Sequence, residues 1–305
     1  MQPMRRLRGS VSARTARDGG QPVTTASPAT VDGGSLSGIR GWVDLYLTQM
    51  RIAIASQIQY RVSNYFYMIG MVTEPVIYLV VWSTVANQQG GSVGGFTPGA
   101  FAAYYIVWTL VRNMNIALTP YAWEERVRGG ELSGMLLRPV HPIHLDLAGL
   151  AGWKAVVIVL WLPIAAFLSL IFQPTYDIEP IDVVVFFVAI WGAYVLRSLF
   201  LWLLGLVTFW TTRVGPVFDI FFTAELLLSG RLVPMSLMPD WAQQLAGFLP
   251  FQWTFGFPIE ALIGHLPADQ LLGGLAMQGL WIAIAALLVM GAWRLAVRRF
   301  SAVGG

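Results

Sequence analysis

The chain contains no cysteine, which excludes disulfides, thiolate metal sites and a cysteine nucleophile. It contains a single lysine, Lys154, between Trp153 and Ala155. A phosphate-binding P-loop needs Gly-Lys-Ser/Thr, so that backbone N–H groups and the ammonium hold the phosphates together. That tripeptide is missing, so any ATP hydrolysis must belong to another polypeptide. His141, His144 and His265 fall in loops on opposite sides of the apolar segments and cannot form one metal site. His-Glu-x-x-His and Gly-x-Ser-Gly are absent and no aspartate lies deep in an apolar run, which removes the intramembrane proteases. No catalytic residue and no resident cofactor is expected.

Charge is scarce as well. Charged residues make up 11% of the 305 residues and hydrophobic ones 56%, against roughly 25% charged in an average soluble domain. So little charge cannot cover a soluble surface, and the outside is read as lipid. The net charge of +3 comes from 19 basic residues, all but Lys154 arginine. Their placement follows membrane topology, so the basicity marks orientation and no nucleic-acid partner.

What is present divides clearly. Residues 1–40 carry Arg5, Arg6, Arg8, Arg14 and Arg17 among Ser, Thr, Gly and Pro, without apolar periodicity, and read as a disordered cytoplasmic tail. No apolar h-region follows Arg5-Arg6, so no cleaved export signal is expected. Over 42–60, Val43, Leu47, Met50, Ile54 and Ile58 recur on one helical face, with Asp44, Thr48, Arg51 and Gln59 opposite. This predicts a helix lying in the interface, or else an extension of the first span.

Six apolar runs follow, at about 65–86, 100–119, 147–172, 183–211, 214–229 and 271–293, most of them near the ~20 residues that cross a bilayer. The fold class expected is all-α membrane protein, with a transmembrane domain over 41–300. Residues 230–270, rich in Pro, Trp and Phe, read as an extracellular re-entrant hairpin of two short helices joined near Pro250. Non-helical backbone at membrane depth must be covered by protein or line a water-filled cavity. Trp82, Trp123, Trp153, Trp241 and Trp253 read as interfacial anchors. With the N-terminus inside, the inner loops and helix ends collect all the basic residues except Arg112, Arg197 and Arg231. Lys154 is counted at an inner helix end and Arg231 in the outer segment. Both termini are expected on the cytoplasmic side.

The loop over 120–146 reads Trp123-Glu-Glu-Arg-Val-Arg-Gly-Gly-Glu-Leu-Ser-Gly-Met-Leu-Leu-Arg-Pro-Val-His-Pro142. Gly129-Gly130 ends one helix, and Glu131 opens a second with Leu132, Met135 and Leu136 on one face, closed by Pro139 and Pro142. This loop resembles the cytoplasmic loop of ABC-2-type transporter permeases. The run Ser229-Gly-Arg-Leu-Val-Pro-Met-Ser-Leu-Met-Pro-Asp-Trp241, with Leu249-Pro-Phe251 and Glu260-Ala-Leu-Ile-Gly264, is similar to the re-entrant hairpin before the last helix of that family. The resemblance covers roughly residues 42–300. It implies the membrane subunit of an ATP-driven exporter in the bacterial inner membrane, dimerising with itself or a homologous permease. Two P-loop ATPase subunits, which bind ATP and Mg, would dock on the 124–142 loop. Glu131, Leu132, Met135, Leu136, Arg138 and Pro139 are the expected coupling contacts. Glu124, Glu125, Arg126 and Arg128 read as a solvated charge cluster.

Four charges remain inside spans, where each costs roughly 2.5–3.5 kcal/mol on insertion scales. Glu74 and Arg112 come out at similar depth and can pair, whereas Arg197 and Glu225 are expected to differ in depth on the order of 10 Å. Pro75 is expected to kink the first span and free carbonyls. The alternative function is an ion-coupled secondary transporter using Glu74 or Glu225. That class usually shows two related halves with matching broken helices, and no such repeat is seen.

Overall fold

The computed structural model describes residues 38–299 apart from Thr212 and His265. The tail reading for 1–40 therefore lies almost wholly outside the described residues. The chain divides after Gly41, and the residues from Trp42 onward form one compact unit.

Helix starts repeat one device: a capping residue with Pro at the first helical position, where the missing N–H costs nothing. Thr97 caps α3 (Pro98–Met114) by accepting from the Ala100 N–H, and Thr119 caps α4 (Pro120–Arg128) by accepting from Ala122. His141 caps α6 (Pro142–Phe172), and Glu179 with Asp182 forms a capping box on α7 (Pro180–Gly205). Pro142 thus starts α6 and does not close the short helix α5 (Glu131–Leu136).

The N-terminal pair is α1 (Ile39–Gln59) and α2 (Arg61–Gln88), separated at Tyr60. α1 has no buried residue; Val43, Leu47 and Ile58 of its apolar stripe stay exposed. The helix rests on α6 at Gly152, where any Cβ would strike the Met50 backbone and Ala53. Tyr46 also shares a 2.9 Å hydrogen bond with His144 Nδ1.

Among the described residues four helical stretches are long and apolar enough to cross a bilayer: Val62–Gln88, Pro142–Phe172, Pro180–Phe209 and Ala268–Val297. The last belongs to α11 (Ala268–Val297). The third is central, with 50% of its most apolar window buried in protein against 17% for each of the others. Two of the expected runs are shorter. α3 has 17 residues and α8 (Gly215–Leu228) has 14, so they reach about 26 and 21 Å at 1.5 Å per residue. The second run ends at Met114 and not at Thr119. The fourth leaves α-helical geometry at Gly205 and continues as a 3-10 turn over Leu206–Phe209.

α3 is the buried axis of the molecule. It packs against α2, α6, α7 and α10 (Gly256–Leu262), and Phe101, Tyr104, Tyr105 and Trp108 along it are all at most 1% exposed. Being sheathed in protein, it has its polar ends covered by other chain segments instead of lipid. Between α8 and α11 lie a 3-10 turn at Met235–Leu237, α9 (Asp240–Phe248) and α10. The two short helices meet across a turn containing Pro250, and no β-strand occurs among the described residues.

Candidate functional site

At one end of the bundle α4 and α5 form a jointed arm. The joint is Gly129-Gly130: the Gly129 N–H closes α4 on Glu125 O, and Gly130 turns the chain at φ +76°, a left-handed conformation glycine takes without strain. α4 is bolted to three other helices. The Arg126 guanidinium donates to both carboxylate oxygens of Asp146 in α6, at 2.8 and 3.1 Å. The Trp202 indole of α7 donates to the same carboxylate at 2.8 Å. Glu124 accepts from the Val214 N–H at 2.9 Å, tying α4 to the start of α8. Trp123, fully buried, lies edge-on to Trp202 and fills the notch left by Gly205.

The solvated-cluster reading is therefore corrected for Arg126, which is buried in a bidentate ion pair, and for Glu124, which accepts from the start of another helix, while Glu125 is exposed as expected; the Arg128 side chain lies outside the described residues. Trp123 is core and not an interfacial anchor. The reason is local geometry, since a helix starting at Pro120 turns Trp123 and Arg126, three residues apart, toward the bundle.

The expected coupling residues separate by face. Leu132 and Met135 are buried against this chain and Leu136 is half-buried, so the apolar stripe of α5 is the arm's own seat. Glu131, Arg138 and Pro139 remain exposed, and Leu137 beside them is 87% exposed. Leu137 falls outside the stripe of Leu132, Met135 and Leu136, so the sequence pattern does not pick it out. Behind the arm, the His141 ring packs at a tilt against Trp293 and Trp202. Burial, with His144 close by, lowers its imidazole to about 4.

The intramembrane charges form two groups. Glu74, midway along α2, accepts from Arg112 at 2.6 Å and from Arg231 at 3.1 Å, with the Tyr78 hydroxyl also donating. Both guanidinium groups flank the Trp108 ring. Pro75 has no N–H for Met71 O, and Arg112 Nη1 donates to that carbonyl at 3.3 Å. Arg231 thus belongs beside the middle of α2 and not in an outer loop.

The second group gathers at the C-terminus of α3. Arg197 in α7 makes a bidentate pair with Glu225 of α8, at 2.7 and 2.9 Å, and also donates to Asn115 O. The expected depth mismatch fails because α7 ends at Gly205. Arg197 and Glu225 then lie about 12 and 15 Å from their shared end of the bundle. Lys154 is no helix-end residue. It sits twelve residues into α6, fully buried, donating to Asn113 O at 2.9 Å and Ile116 O at 2.5 Å. Asn115 reaches across to Thr254 O at 2.6 Å. Two cations thus satisfy the orphan carbonyls at the negative end of α3. The only signal for this in the sequence was a lone lysine inside an apolar run.

No metal-binding group of His, Asp or Glu occurs among the described residues. The arrangement is a jointed arm connected by ion pairs and edge-on indoles to the helices that carry the internal charges. No curated protein matches the chain. The family described as "ABC-2 family transporter protein" matches residues 72–304, which hold the whole arm and both charged groups. This multi-pass membrane chain belongs to the ABC-2 transporter family.

Proposed function

We propose that the chain is the permease subunit of an ATP-driven exporter in a bacterial inner membrane, and that α4–α5 is where ATPase motion enters it. One observation carries the reading: α4 is fixed to α6, α7 and α8, while α5 offers an open face of Glu131, Leu137, Arg138 and Pro139. A partner pressing on that face would move three helices at once. Two ATPase copies, holding ATP and Mg, would act on two permeases, either identical or homologous. In this reading α3 and α8 complete six spans, α9 and α10 form the re-entrant hairpin on the outer side, and both termini are cytoplasmic. Gln278, about a third of the way into α11, bonds Trp253 O and Ala189 O, which supports a hairpin dipping into the bundle. Glu74 and Glu225 are each held by arginine, which leaves neither free to carry a coupling ion and favours the exporter over a secondary transporter.

The test is purification of the tagged chain in mild detergent with identification of what accompanies it. A stoichiometric P-loop ATPase, lost with Leu137→Asp or Glu131→Lys while the permease still inserts, is the expected result. A preparation free of ATPase across gentle detergents, or variants that retain it fully, would overturn the assignment.

A further inference from the structure

At the end of the bundle remote from the arm, a cavity of about 460 Å³ opens between α10 and the first turns of α11. Its size falls within the range of small-molecule sites. Its walls are apolar and soft: Trp253 and Phe257, edge-to-face at 5.7 Å, with Met235 and Met277. Gly274 makes the space for Phe257, since a Cβ there would overlap its ring. The charged groups on the lining are Glu260 and Asp269, and none of the described lining residues is basic.

Glu260 is the unusual member. Its Oε1 is shielded from solvent and accepts no hydrogen bond, which is costly for a carboxylate oxygen. Burial pushes its carboxyl up to about 7, offset in part by the Met235 backbone N–H. Glu74 and Glu225 have guanidinium partners; Glu260 instead lines a cavity on which no described residue is basic. A carboxyl group without a cation, on the lining of a cavity that also carries aromatic and thioether side chains, has the chemistry of an aromatic cage for ammonium groups, where ring quadrupoles and one anion share the charge.

We propose that this cavity binds an organic cation with an apolar body, such as a protonated amine or a quaternary onium ion. The Glu260 carboxylate meets the charge, Asp269 stands at the mouth, and Trp253 and Phe257 pack on the body. The proposal rests on the permease reading only for its meaning, as a site on the outer stretch of a transport route. Binding itself needs no ATPase. A failure here leaves the arm's role standing, and a failure of the arm's role leaves this site testable.

The experiment uses the full chain in lipid nanodiscs, above neutral pH, with two probes of the same shape and opposite charge, tetraphenylphosphonium and tetraphenylborate. Saturable binding of the phosphonium, and none of the borate, is expected. Glu260→Gln keeps the shape and removes the anion, which should weaken the phosphonium about tenfold. Asp269→Asn, at an exposed position in the first turn of α11, should weaken it less and leaves folding unchanged. Equal affinity in Glu260→Gln, equal binding of the two probes, or no saturable binding by the unaltered chain would each overturn the proposal.

Discussion

Trp123 of α4 occupies the space that a side chain at Gly205 would need, with its indole against the α7 backbone and edge-on to Trp202. The arm therefore meets the central span by direct packing as well as through charge. Even Gly205→Ala places a methyl inside the ring, and overpacking of this kind costs about 1–3 kcal/mol. The expected outcome is a lower unfolding temperature and loss of transport-stimulated ATP hydrolysis with ATPase still bound. Trp123→Leu in the same chain makes room and should recover the unfolding temperature. If Gly205→Ala alone retains full stimulation, the packing does not transmit force.

Glu74 is the single anion between two guanidinium groups. Removing it and removing one of its partners are unequal acts. Glu74→Gln leaves Arg112 and Arg231, both beside Trp108, without their shared counter-charge, and breaking a buried pair in this way costs about 3–5 kcal/mol. These groups are partly exposed, so the lower end applies. Arg231→Gln leaves the 2.6 Å Arg112–Glu74 pair intact and should be mild. Thermal unfolding in detergent should therefore rank Glu74→Gln well below Arg231→Gln, with the double variant between them. The reverse order would show that Glu74 does not balance both arginines.

The same group shows what could be read before the structure and what could not. Glu74 and Arg112 sit in helices whose ends are marked by Thr-Pro or by charge, so counting residues at 1.5 Å brings them level. Arg231 follows α8, which has only 14 residues, and counting the whole of 230–270 as the outer segment separates it from Glu74. Arg197 and Glu225 were misjudged for the related reason that hydropathy runs on to Thr211 while the α-helix stops at Gly205. Hydropathy reports what touches apolar surroundings; it cannot tell a helix from the irregular backbone beside it when protein supplies the cover. For α5 the sequence leaves open a simpler question, since an apolar stripe can face a partner or the chain's own core; Leu132 and Met135 face the core.

His141 gives a pH dependence with a definite sign. Its imidazole is held near 4, below the ordinary 6.5, by burial and by His144, with Asp146 opposing. Between these values the unfolded chain binds a proton that the folded chain refuses, so stability falls as pH drops from about 6.5 toward 4. Above 6.5 the group has no effect. His141→Phe keeps the ring packing against Trp293 and Trp202 but removes the titration. The unfolding temperature of the variant should lose less than that of the parent over this window. Parallel curves for the two would place the acid sensitivity elsewhere.

Lys154 tests whether the C-terminus of α3 is a fixed point of the machine. Its ammonium takes the carbonyls of Asn113 and Ile116, while Arg197 takes that of Asn115 and pairs with Glu225. Lys154→Met matches the stem and volume but takes the ammonium from Ile116 O and leaves Asn113 O with only the Ile116 N–H, at about 1–3 kcal/mol for an orphaned buried group. Lys154→Arg keeps the charge, yet its planar fork must fit where a compact ammonium sits fully buried. Both variants should unfold at lower temperature, Met more than Arg. Hydrogen exchange should rise first at 115–119, the segment that joins α3 to the arm. Because that segment enters α4 at Thr119, loosening it should also weaken coupling without touching the open face of α5. Should Lys154→Met keep both its protection at 115–119 and its stimulated ATP hydrolysis, the arm would draw its rigidity from α6, α7 and α8 alone.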